Sequence, residues 1–414
     1  MKKKEIMYDD KKLCCGCGVC ALVCPKQAIV MEPDSYGFVY PHIKKEICIS
    51  CGLCERACSF QKQSSNNMPK AVYALSRKDS QRLMDSASGG VFAGIAEQWI
   101  EQGGIVFGVA LLQRNETLNP SHTMAQTKEE LLPLLGSKYV QSDLGTAYSD
   151  TKNLLDRGKK VLFSGTPCQV AGLKNWLKND YEGLLTIDLV CHGVPSSAMF
   201  QNYLEVESKK IGHSIEDFRF RDKGKGWGLN AKLIYSEQGK DKCVCVPSNQ
   251  SSYYELFLRG EIYRESCYHC PYANAQHPAD LTIGDYWGIE QEHPSYLTPY
   301  GTLDKETGIS MLMVNTAKGA EAFEIYKDAF WHYPSTFECV SKHNEQLIHP
   351  SSPGIHRETV LKLYQKKGYR AVNRWYWKQK NRENRRNRLL YHLHHDMPKP
   401  IRNAFKKIIL KGVN

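Results

Sequence analysis

Two short stretches of the chain hold four cysteines each at the same spacing. Residues 13–25 read LCCGCGVCALVCP, and residues 47–58 read ICISCGLCERAC. Both contain the pattern C-x2-C-x2-C-x3-C. Two intervening residues let successive thiolates point inward around one cube of iron and sulfide, for which soft thiolates are the usual ligands. The spacing therefore predicts 4Fe–4S clusters.

One such run is typical of bacterial ferredoxins, and two in tandem are typical of a two-cluster ferredoxin. There the fourth cysteine of each run crosses to the other cluster. The pattern assigns Cys14, Cys17, Cys20 and Cys58 to the first cluster, and Cys48, Cys51, Cys54 and Cys24 to the second. Cys15 falls outside the pattern and is not predicted as a ligand. A disulfide framework would need an oxidising compartment, and zinc usually takes two pairs of ligands, so both alternatives are disfavoured.

Four more cysteines lie next to predicted strands. The stretches KKVLFSGTPCQVAGLKNWL and LLTIDLVCHGVPS read as buried strands followed by turns, which places Cys168 and Cys191 at strand ends. Cys267 and Cys270 form a C-x2-C pair just before the predicted strand LTIGDYWG. Ligands of open α/β sheets bind at the carboxyl ends of strands. These thiols could hold a third 4Fe–4S cluster, bind zinc, or pack as buried free cysteines.

Two turns are candidates for binding an anionic cofactor. Apolar residues recur on one face of a predicted helix from about Gly90 to Glu101, and Ser88 and Gly89 precede it. Free amides at a helix N-terminus can bind the phosphates of a flavin, although a simple helix cap explains this turn equally well. Lys138 and Tyr139 in the second turn could face a phosphate and a flavin ring, but surface and packing roles are commoner for such pairs.

The composition limits the class of protein. The chain has 414 residues, enough for two or three domains, and no apolar run approaches the roughly 18 residues of a membrane helix. Residues 362–414 hold 16 Lys/Arg and 2 Asp/Glu, a net charge of +14, which leaves −3 for the first 361 residues. A nucleic-acid-binding core is therefore disfavoured. The sixteen cysteines and the lack of a signal peptide favour a reducing, cytoplasmic location.

The predicted elements divide the chain into three parts. The fold class predicted is α+β: a ferredoxin-type module with two 4Fe–4S clusters, a mixed α/β body and a basic helical tail. The predicted boundaries are 1–63, 70–361 (with parts at about 70–150 and 158–320) and 362–414. In the tail, Ile401 and Phe405 lie on the apolar side of a basic predicted helix. That helix could contact an anionic membrane surface at the inner face or pack on the body.

Five motifs occur in a fixed order over about residues 71–320: SGGVFAG, GSKYVQS, SGTPCQVAGL, DLVCHGVPS, and C-x2-C followed by ADLTIGD. This order resembles the family of coenzyme F-420 hydrogenase/dehydrogenase beta subunits. The resemblance implies a mixed α/β body that binds FAD beside a 4Fe–4S cluster. It implies cluster ligands at Cys168, Cys191, Cys267 and Cys270, and flavin contacts near Ser88, Gly89, Gly90, Lys138 and Tyr139.

The resulting hypothesis is an iron–sulfur flavoprotein oxidoreductase. Single electrons would pass between 4Fe–4S clusters and FAD, which would exchange a hydride with an organic substrate or a deazaflavin. His192 follows Cys191 and is a candidate proton donor because imidazole titrates near neutral pH, although it could simply hydrogen-bond the cluster loop. The expected partner is a ferredoxin or a redox partner subunit. The alternative is a non-catalytic electron-transfer subunit of a larger redox or polysaccharide-biosynthesis system.

Overall fold

The computed structural model describes residues 10–61, 68–114, 117–224 and 226–395. The predicted amphipathic segment of the tail, with Ile401 and Phe405, lies outside the described residues. The strands are β1 (Ile29–Pro33), β2 (Val39–Ile43), β3 (Ala71–Arg77), β4 (Ile105–Arg114), β5 (Thr117–Ala125), β6 (Val161–Gly165), β7 (Leu184–Leu189), β8 (Ile215–Arg219), β9 (Asn230–Glu237), β10 (Lys240–Pro247), β11 (Leu281–Asp285), β12 (Ser310–Val314) and β13 (Phe330–Ser335).

The helices are α1 (Val19–Leu22), α2 (Leu53–Arg56), α3 (Ser80–Met84), α4 (Val91–Glu101), α5 (Lys128–Leu131), α6 (Ala147–Asp156), α7 (Pro167–Leu177), α8 (Ser197–Ile211), α9 (Ser252–Leu258), α10 (Ile289–Glu292), α11 (Ala317–Tyr326), α12 (Phe337–Ser341) and α13 (Arg357–His395). None of the helices within the described ranges combines the length and the apolar character needed to cross a membrane.

An eight-stranded sheet with the order β13-β3-β12-β11-β7-β6-β4-β5 forms the centre of the body. Leu162 of β6 packs into the apolar cluster of α4, while its neighbours Val161 and Phe163 pack into that of α7. Since side chains alternate along a strand, the two helices cover opposite faces of the sheet. Burial on both faces explains why the central strands read as continuous apolar runs.

The functional elements meet at one edge of this sheet. Strands β3, β4, β6, β7 and β11 run in the same direction, whereas β5, β12 and β13 run against them. The carboxyl ends of parallel strands share one edge, which is where open α/β sheets bind ligands. The segments that leave this edge include 78–90 after β3, 166–168 after β6, 190–193 after β7 and 286–288 after β11.

The N-terminal module consists of the antiparallel hairpin β1–β2 and the short helices α1 and α2. Each helix follows a glycine with positive φ, Gly18 at 74° and Gly52 at 70°. The module packs directly on the body, because Ala171 of α7 and Tyr272 are buried in the same apolar cluster as its cysteines.

Another apolar cluster joins the antiparallel sheet β10-β9-β8 to α8, α9 and α13. α13 is interrupted at Gly368, where φ is 68° and ψ is 178°. Tyr364, Val372 and Tyr376 of α13 are buried in this cluster, so the first part of the basic tail packs on the body. The predicted fold class is confirmed.

Candidate iron–sulfur centres and cofactor site

The structure brings the predicted ligands of the first cluster together. Cys14, Cys20 and Cys58 are buried, and Cys17 is half-buried. Burial raises the pKa of Cys20, and negative charge on Cys17, Cys14 and Cys58 raises it further. Burial also raises the pKa of Cys14 to about 11.

The predicted ligands of the second cluster lie nearer to solvent. Cys51 is exposed, while Cys24, Cys48 and Cys54 are half-buried. Burial raises the pKa of Cys54, with a smaller contribution from charge on Cys51. The Cys24 thiol accepts a hydrogen bond from the amide of Ala28 at 3.3 Å. This set therefore differs from the first in its access to water.

The four remaining predicted ligands also face one another. Burial raises the pKa of Cys191, and charge on Cys267, Cys168 and Cys270 raises it further. Burial likewise raises the pKa of Cys267 to about 12. Cys168 lies in the first turn of α7 and Cys191 follows β7, so the edge shared by the parallel strands β6 and β7 brings them to the C-x2-C segment.

The chemistry of these donor sets fits iron–sulfur clusters. All sixteen cysteines lie in the described ranges, and none of them forms a disulfide. Clustered thiolates repel one another, and bound iron neutralises their charge, so sets of neighbouring cysteines suit metal binding. Within residues 10–61, 68–114, 117–224 and 226–395, no three Cys, His, Asp or Glu side chains converge on one metal ion. A 4Fe–4S cube does not require such convergence, because its thiolates bind different irons.

Cys15, which the spacing excluded as a ligand, lies between two of these sets. Its buried thiol hydrogen-bonds to Cys168 and Cys17, and these bonds raise its pKa well above the ordinary value. The same contact lowers the pKa of Cys17, and lowers that of Cys168 to about 7. The Cys15 thiol thus contacts one cysteine of the N-terminal module and one of the body.

A chain of polar side chains leads away from Cys168 into the body. The Thr166 hydroxyl lies 3.2 Å from Cys168 Sγ and donates to Gln169 Oε1 at 3.0 Å. The Gln169 amide nitrogen donates to the Ser142 hydroxyl at 3.0 Å. That hydroxyl oxygen in turn lies 3.1 Å from His122 Nδ1. His122 Nε2 faces the Ser164 carbonyl at 3.1 Å. Because a carbonyl only accepts, Nε2 carries the proton, and burial lowers the pKa of His122 to about 4.

The turn before α4 is buried, and its polar groups are already bonded. The Ser88 hydroxyl donates to the Ile309 carbonyl at 2.8 Å, and the Gly89 amide donates to Ser310 Oγ at 2.9 Å. The Gly90 amide donates to the Ala87 carbonyl at 2.9 Å. These two glycine amides are therefore occupied by bonds within the protein.

Lys138 and Tyr139 are also engaged internally. The Lys138 ammonium donates to the carbonyls of Pro133 at 2.9 Å and Leu135 at 2.6 Å, and burial lowers its pKa to about 7. The Tyr139 ring stacks on Phe257 with centroids 4.7 Å apart. The Tyr139 hydroxyl accepts from Arg221, 3.0 Å away.

Arg221 and Lys223 connect the two predicted flavin turns, and the sequence did not single them out as site residues. Lys223 is buried and donates to the Ser88 carbonyl at 2.6 Å. The Arg221 side chain is 4% exposed and pairs with Asp285 at 2.9 Å. Its second terminal nitrogen, Nη2, has no partner among the described residues. The only local signal was the run of cations in RDKGKG at residues 221–226.

Two tryptophans complete this region. Trp227 and Trp287 stack 4.7 Å apart at 10°, and the Arg221 guanidinium lies 5.7 Å from the Trp287 ring. Within the part of the chain that the structure describes, the buried indole nitrogen of Trp227 is also unpartnered. Orphaned buried donors are costly unless a ligand or water accepts from them, so this cluster is suited to an anionic or polar aromatic ligand.

His192 lies at the same edge of the sheet, after β7. Its side chain reaches solvent, and desolvation by its surroundings lowers its pKa, an effect opposed by the carboxylates of Asp285 and Glu345. Asp285 is the carboxylate that pairs with Arg221. The structure thus places His192 near the Arg221 cluster.

Clustered cysteine thiols in an N-terminal module, packed on a mixed sheet, fit the class of iron–sulfur proteins. Residues 13–62 match the 4Fe-4S dicluster domain. Residues 158–331 match the family described as the C-terminal region of the beta subunit of coenzyme F420 hydrogenase/dehydrogenase. The family resemblance noted from the motifs is confirmed.

Two curated relatives are similar over longer stretches. An uncharacterized protein of Methanocaldococcus jannaschii is 27% identical over 202 residues, which are 43% of this chain and 56% of that relative. One of the subunits of the F(420)H(2) dehydrogenase of Methanosarcina mazei is 25% identical over 303 residues, 68% of this chain and 78% of that protein. The chain therefore spans little more than half the length of the first relative.

Among solved structures, a chain of the F420-reducing NiFe hydrogenase complex from Methanosarcina barkeri is similar. The match has 16% sequence identity and a TM-score of 0.41, and it covers 77% of this chain and 93% of that one.

Proposed function

We propose that the protein is an iron–sulfur flavoprotein that passes electrons between a partner redox protein and an organic acceptor. The observation that carries this proposal is the orphaned Arg221 nitrogen beside stacked tryptophans, at the sheet edge where Cys168 and Cys191 also lie. An electron-carrier module would not need buried donors without partners at that edge. The proposed organic substrates include deazaflavins in either redox state, because the relative from Methanosarcina mazei belongs to an F(420)H(2) dehydrogenase.

The proposed cluster ligands are the twelve cysteines of the three sets. Cys14, Cys17, Cys20 and Cys58 would hold the first cluster, Cys48, Cys51, Cys54 and Cys24 the second, and Cys168, Cys191, Cys267 and Cys270 the third. Bound 4Fe–4S clusters supply one-electron transfer. The Cys15 thiol supports close coupling of the first and third sets, since it contacts a cysteine of each.

The proposed flavin site lies between the turn before α4 and the Lys138–Tyr139 loop. Arg221 would bind a phosphate or a ring oxygen through its orphaned nitrogen, and Lys223 would supply a second positive charge. A bound flavin supplies the change between one-electron and hydride chemistry. Ser88, Gly89 and Gly90 would shape the site, since their own hydrogen-bonding groups are already engaged.

His192 is the proposed proton donor to the organic substrate. It reaches solvent and lies near Asp285, whose carboxylate favours the protonated imidazole and opposes the lowering of the His192 pKa by desolvation. Replacing it by asparagine should lower substrate turnover and leave the cluster spectra unchanged. Wild-type turnover in His192→Asn would remove this role.

Anaerobic purification followed by iron, sulfide and flavin assays tests the whole proposal. We expect about twelve irons and one flavin per chain, with about eight irons in Cys267→Ala/Cys270→Ala. Arg221→Met should lose flavin and keep its iron. Arg219→Met is the matched control, because Arg219 lies on the same segment but its side chain is 54% exposed.

A non-catalytic electron-transfer subunit is the second candidate. It is favoured by the amides of Gly89 and Gly90, which are bonded within the protein and leave that turn fewer free donors. A chain with clusters but no flavin, and no turnover of an organic acceptor, would support this alternative.

A further inference from the structure

Arg264 belongs to the body but reaches into the N-terminal module. Its Nε donates to the carbonyl of Cys14 at 2.7 Å, and Nη2 donates to the Val39 carbonyl at 2.8 Å. Nη2 also lies 3.7 Å from Cys14 Sγ, within hydrogen-bond reach of a predicted ligand sulfur. In sequence, Arg264 stands three residues before Cys267, a predicted ligand of the third cluster.

This arginine is 0% exposed, and it forms no ion pair with any carboxylate in the described residues. Burying a cation without a counter-charge costs several kcal/mol, so stable burial requires negative charge close by. The groups that act on it electrostatically are the thiols of Cys14, Cys15 and Cys267 and the Tyr40 hydroxyl, of which Cys14 and Cys267 would carry negative charge as ligands of bound clusters. Two of these belong to different predicted clusters.

The surroundings are built to hold the guanidinium in this place. It lies over the Tyr40 ring, 4.1 Å from the centroid, and its Nη1 donates to Gln141 Oε1 at 3.2 Å. A methyl group at Gly16 would lie 2.8 Å from Nη1, so only glycine leaves room between the first two cluster cysteines.

We propose that Arg264 is the positioning residue that couples the first and third clusters electrostatically and raises the reduction potentials of both above that of the second. A buried positive charge stabilises the reduced cluster, which carries one more negative charge, and a hydrogen bond to a ligand sulfur acts in the same direction. This inference rests on the proposed third cluster. Electrons that enter at the exposed second cluster would then pass to the first and third clusters, whose reduction potentials are higher.

The test is an EPR-monitored redox titration of the anaerobically purified full chain. Cys20→Ala and Cys267→Ala/Cys270→Ala identify the signals of the first and third clusters. Arg264→Gln removes the charge, and Arg264→Lys keeps it. Gln141→Glu keeps Arg264 but places a carboxylate where Oε1 now lies, 3.2 Å from Nη1. Arg56→Gln is the matched control, because exposed Arg56 donates to the Cys51 carbonyl at 3.0 Å beside the second cluster.

We expect Arg264→Gln and Gln141→Glu to lower the potentials of the first and third clusters and leave the second unchanged. Arg264→Lys should remain near the wild type, and Arg56→Gln should shift little because water screens its charge. Arg264→Gln and Gln141→Glu could instead lose about four irons while Arg264→Lys keeps its iron. That result would also support the inference, because it would show that the clusters require the positive charge at residue 264. Unchanged potentials, equal shifts in all clusters, or iron loss in Arg264→Lys as well would overturn the inference. A wild type with only about eight irons would instead refute the third cluster.

Discussion

Cys20 of the first cysteine run is 6% exposed, whereas Cys51 of the second run is exposed to solvent. The backbone is nearly the same in both runs: a glycine with positive φ followed by a four-residue helix. The difference comes from the body, because Tyr272 shares an apolar cluster with Cys20, whereas Cys51 lies outside that cluster. Burial strengthens the effect of charges such as Arg264, and exposure weakens that of Arg56.

Spacing predicts the ligands of both runs, whereas packing decides how far each set of cysteines is exposed to solvent. The second run has the apolar side chains of Ile47 and Ile49 beside it, and Ile49 is 58% exposed. Exposed apolar residues next to a redox site suit brief contact with a partner protein. The cysteines of the first run are more enclosed, and we infer that they relay electrons inward.

The largest expected difference between the runs follows from removing one cysteine of each. Cys20→Ala and Cys51→Ala should each lose about four irons. Losing the first cluster also removes one of the two predicted counter-charges of buried Arg264, which should cost up to about 3–5 kcal/mol in the free energy of unfolding. Cys51→Ala should leave stability nearly unchanged. Iron assays and denaturant unfolding check this, and equal losses of stability would refute the difference between the two sites.

Mild acid should weaken the body beside its contact with the N-terminal module. Burial lowers the pKa of His122 from 6.5 to about 4 in the folded protein. At a pH between these two pKa values, His122 is protonated in the unfolded chain but neutral in the folded protein, so the free energy of unfolding falls as the pH falls. We expect a loss of about 2 kcal/mol between pH ~7.5 and pH ~5, approaching about 3 kcal/mol at lower pH.

His122→Gln isolates this contribution. The variant should be less stable at neutral pH, because the ring contacts with Phe163 are lost. Its stability should fall less steeply with acid than that of the wild type. Urea unfolding at several pH values measures both slopes, and parallel slopes would show that His122 does not titrate on unfolding.

A smaller effect is expected from crowding the contact between the module and the body. A methyl group at Gly172 of α7 would lie 2.8 Å from Tyr148 Oη and 3.4 Å from Cys17 Cβ. Tyr148 is buried and donates to the Gln169 carbonyl, so it cannot easily move away. Gly172→Ala should cost about 1–3 kcal/mol.

Gly108→Ala is the matched control for this substitution. Its new methyl group would lie at ordinary distances, 3.4 Å from Phe92 and 3.5 Å from Leu134. We expect a change below about 1 kcal/mol. Thermal unfolding of both variants provides the measurement, and an equal cost in both would mean that this contact is not tightly packed.

The smallest effect concerns the extra cysteine of the first run. Cys15→Ala should keep all the iron, since Cys15 is a hydrogen-bond donor and not a ligand in our assignment. The lost contacts with Cys17 and Cys168 should cost about 1 kcal/mol. A fall of about four irons would instead mean that Cys15 replaces one of the predicted ligands.

Local patterns predicted much of the fold. The helix expected from about Gly90 to Glu101 is α4, which begins at Val91, and the strand–turn–helix around Cys168 is β6 followed by α7. These predictions succeeded because apolar periodicity and glycine turns act over a few neighbouring residues. The ligand assignments and the boundary at residue 362 stay predictions.

Arg264, Arg221 and the bridging position of Cys15 show what the sequence could not reveal. Arg264 is separated from Cys14 by 250 positions, and the Arg221 partners Tyr139 and Asp285 stand 82 and 64 positions away. No local spacing encodes such contacts, because the order of strands in the sheet sets them. The sequence by itself predicted which thiols could bind metal and determined most of the strands and helices. Only the tertiary structure decided which site is buried and which charges it feels, since burial depends on residues brought together from distant parts of the chain.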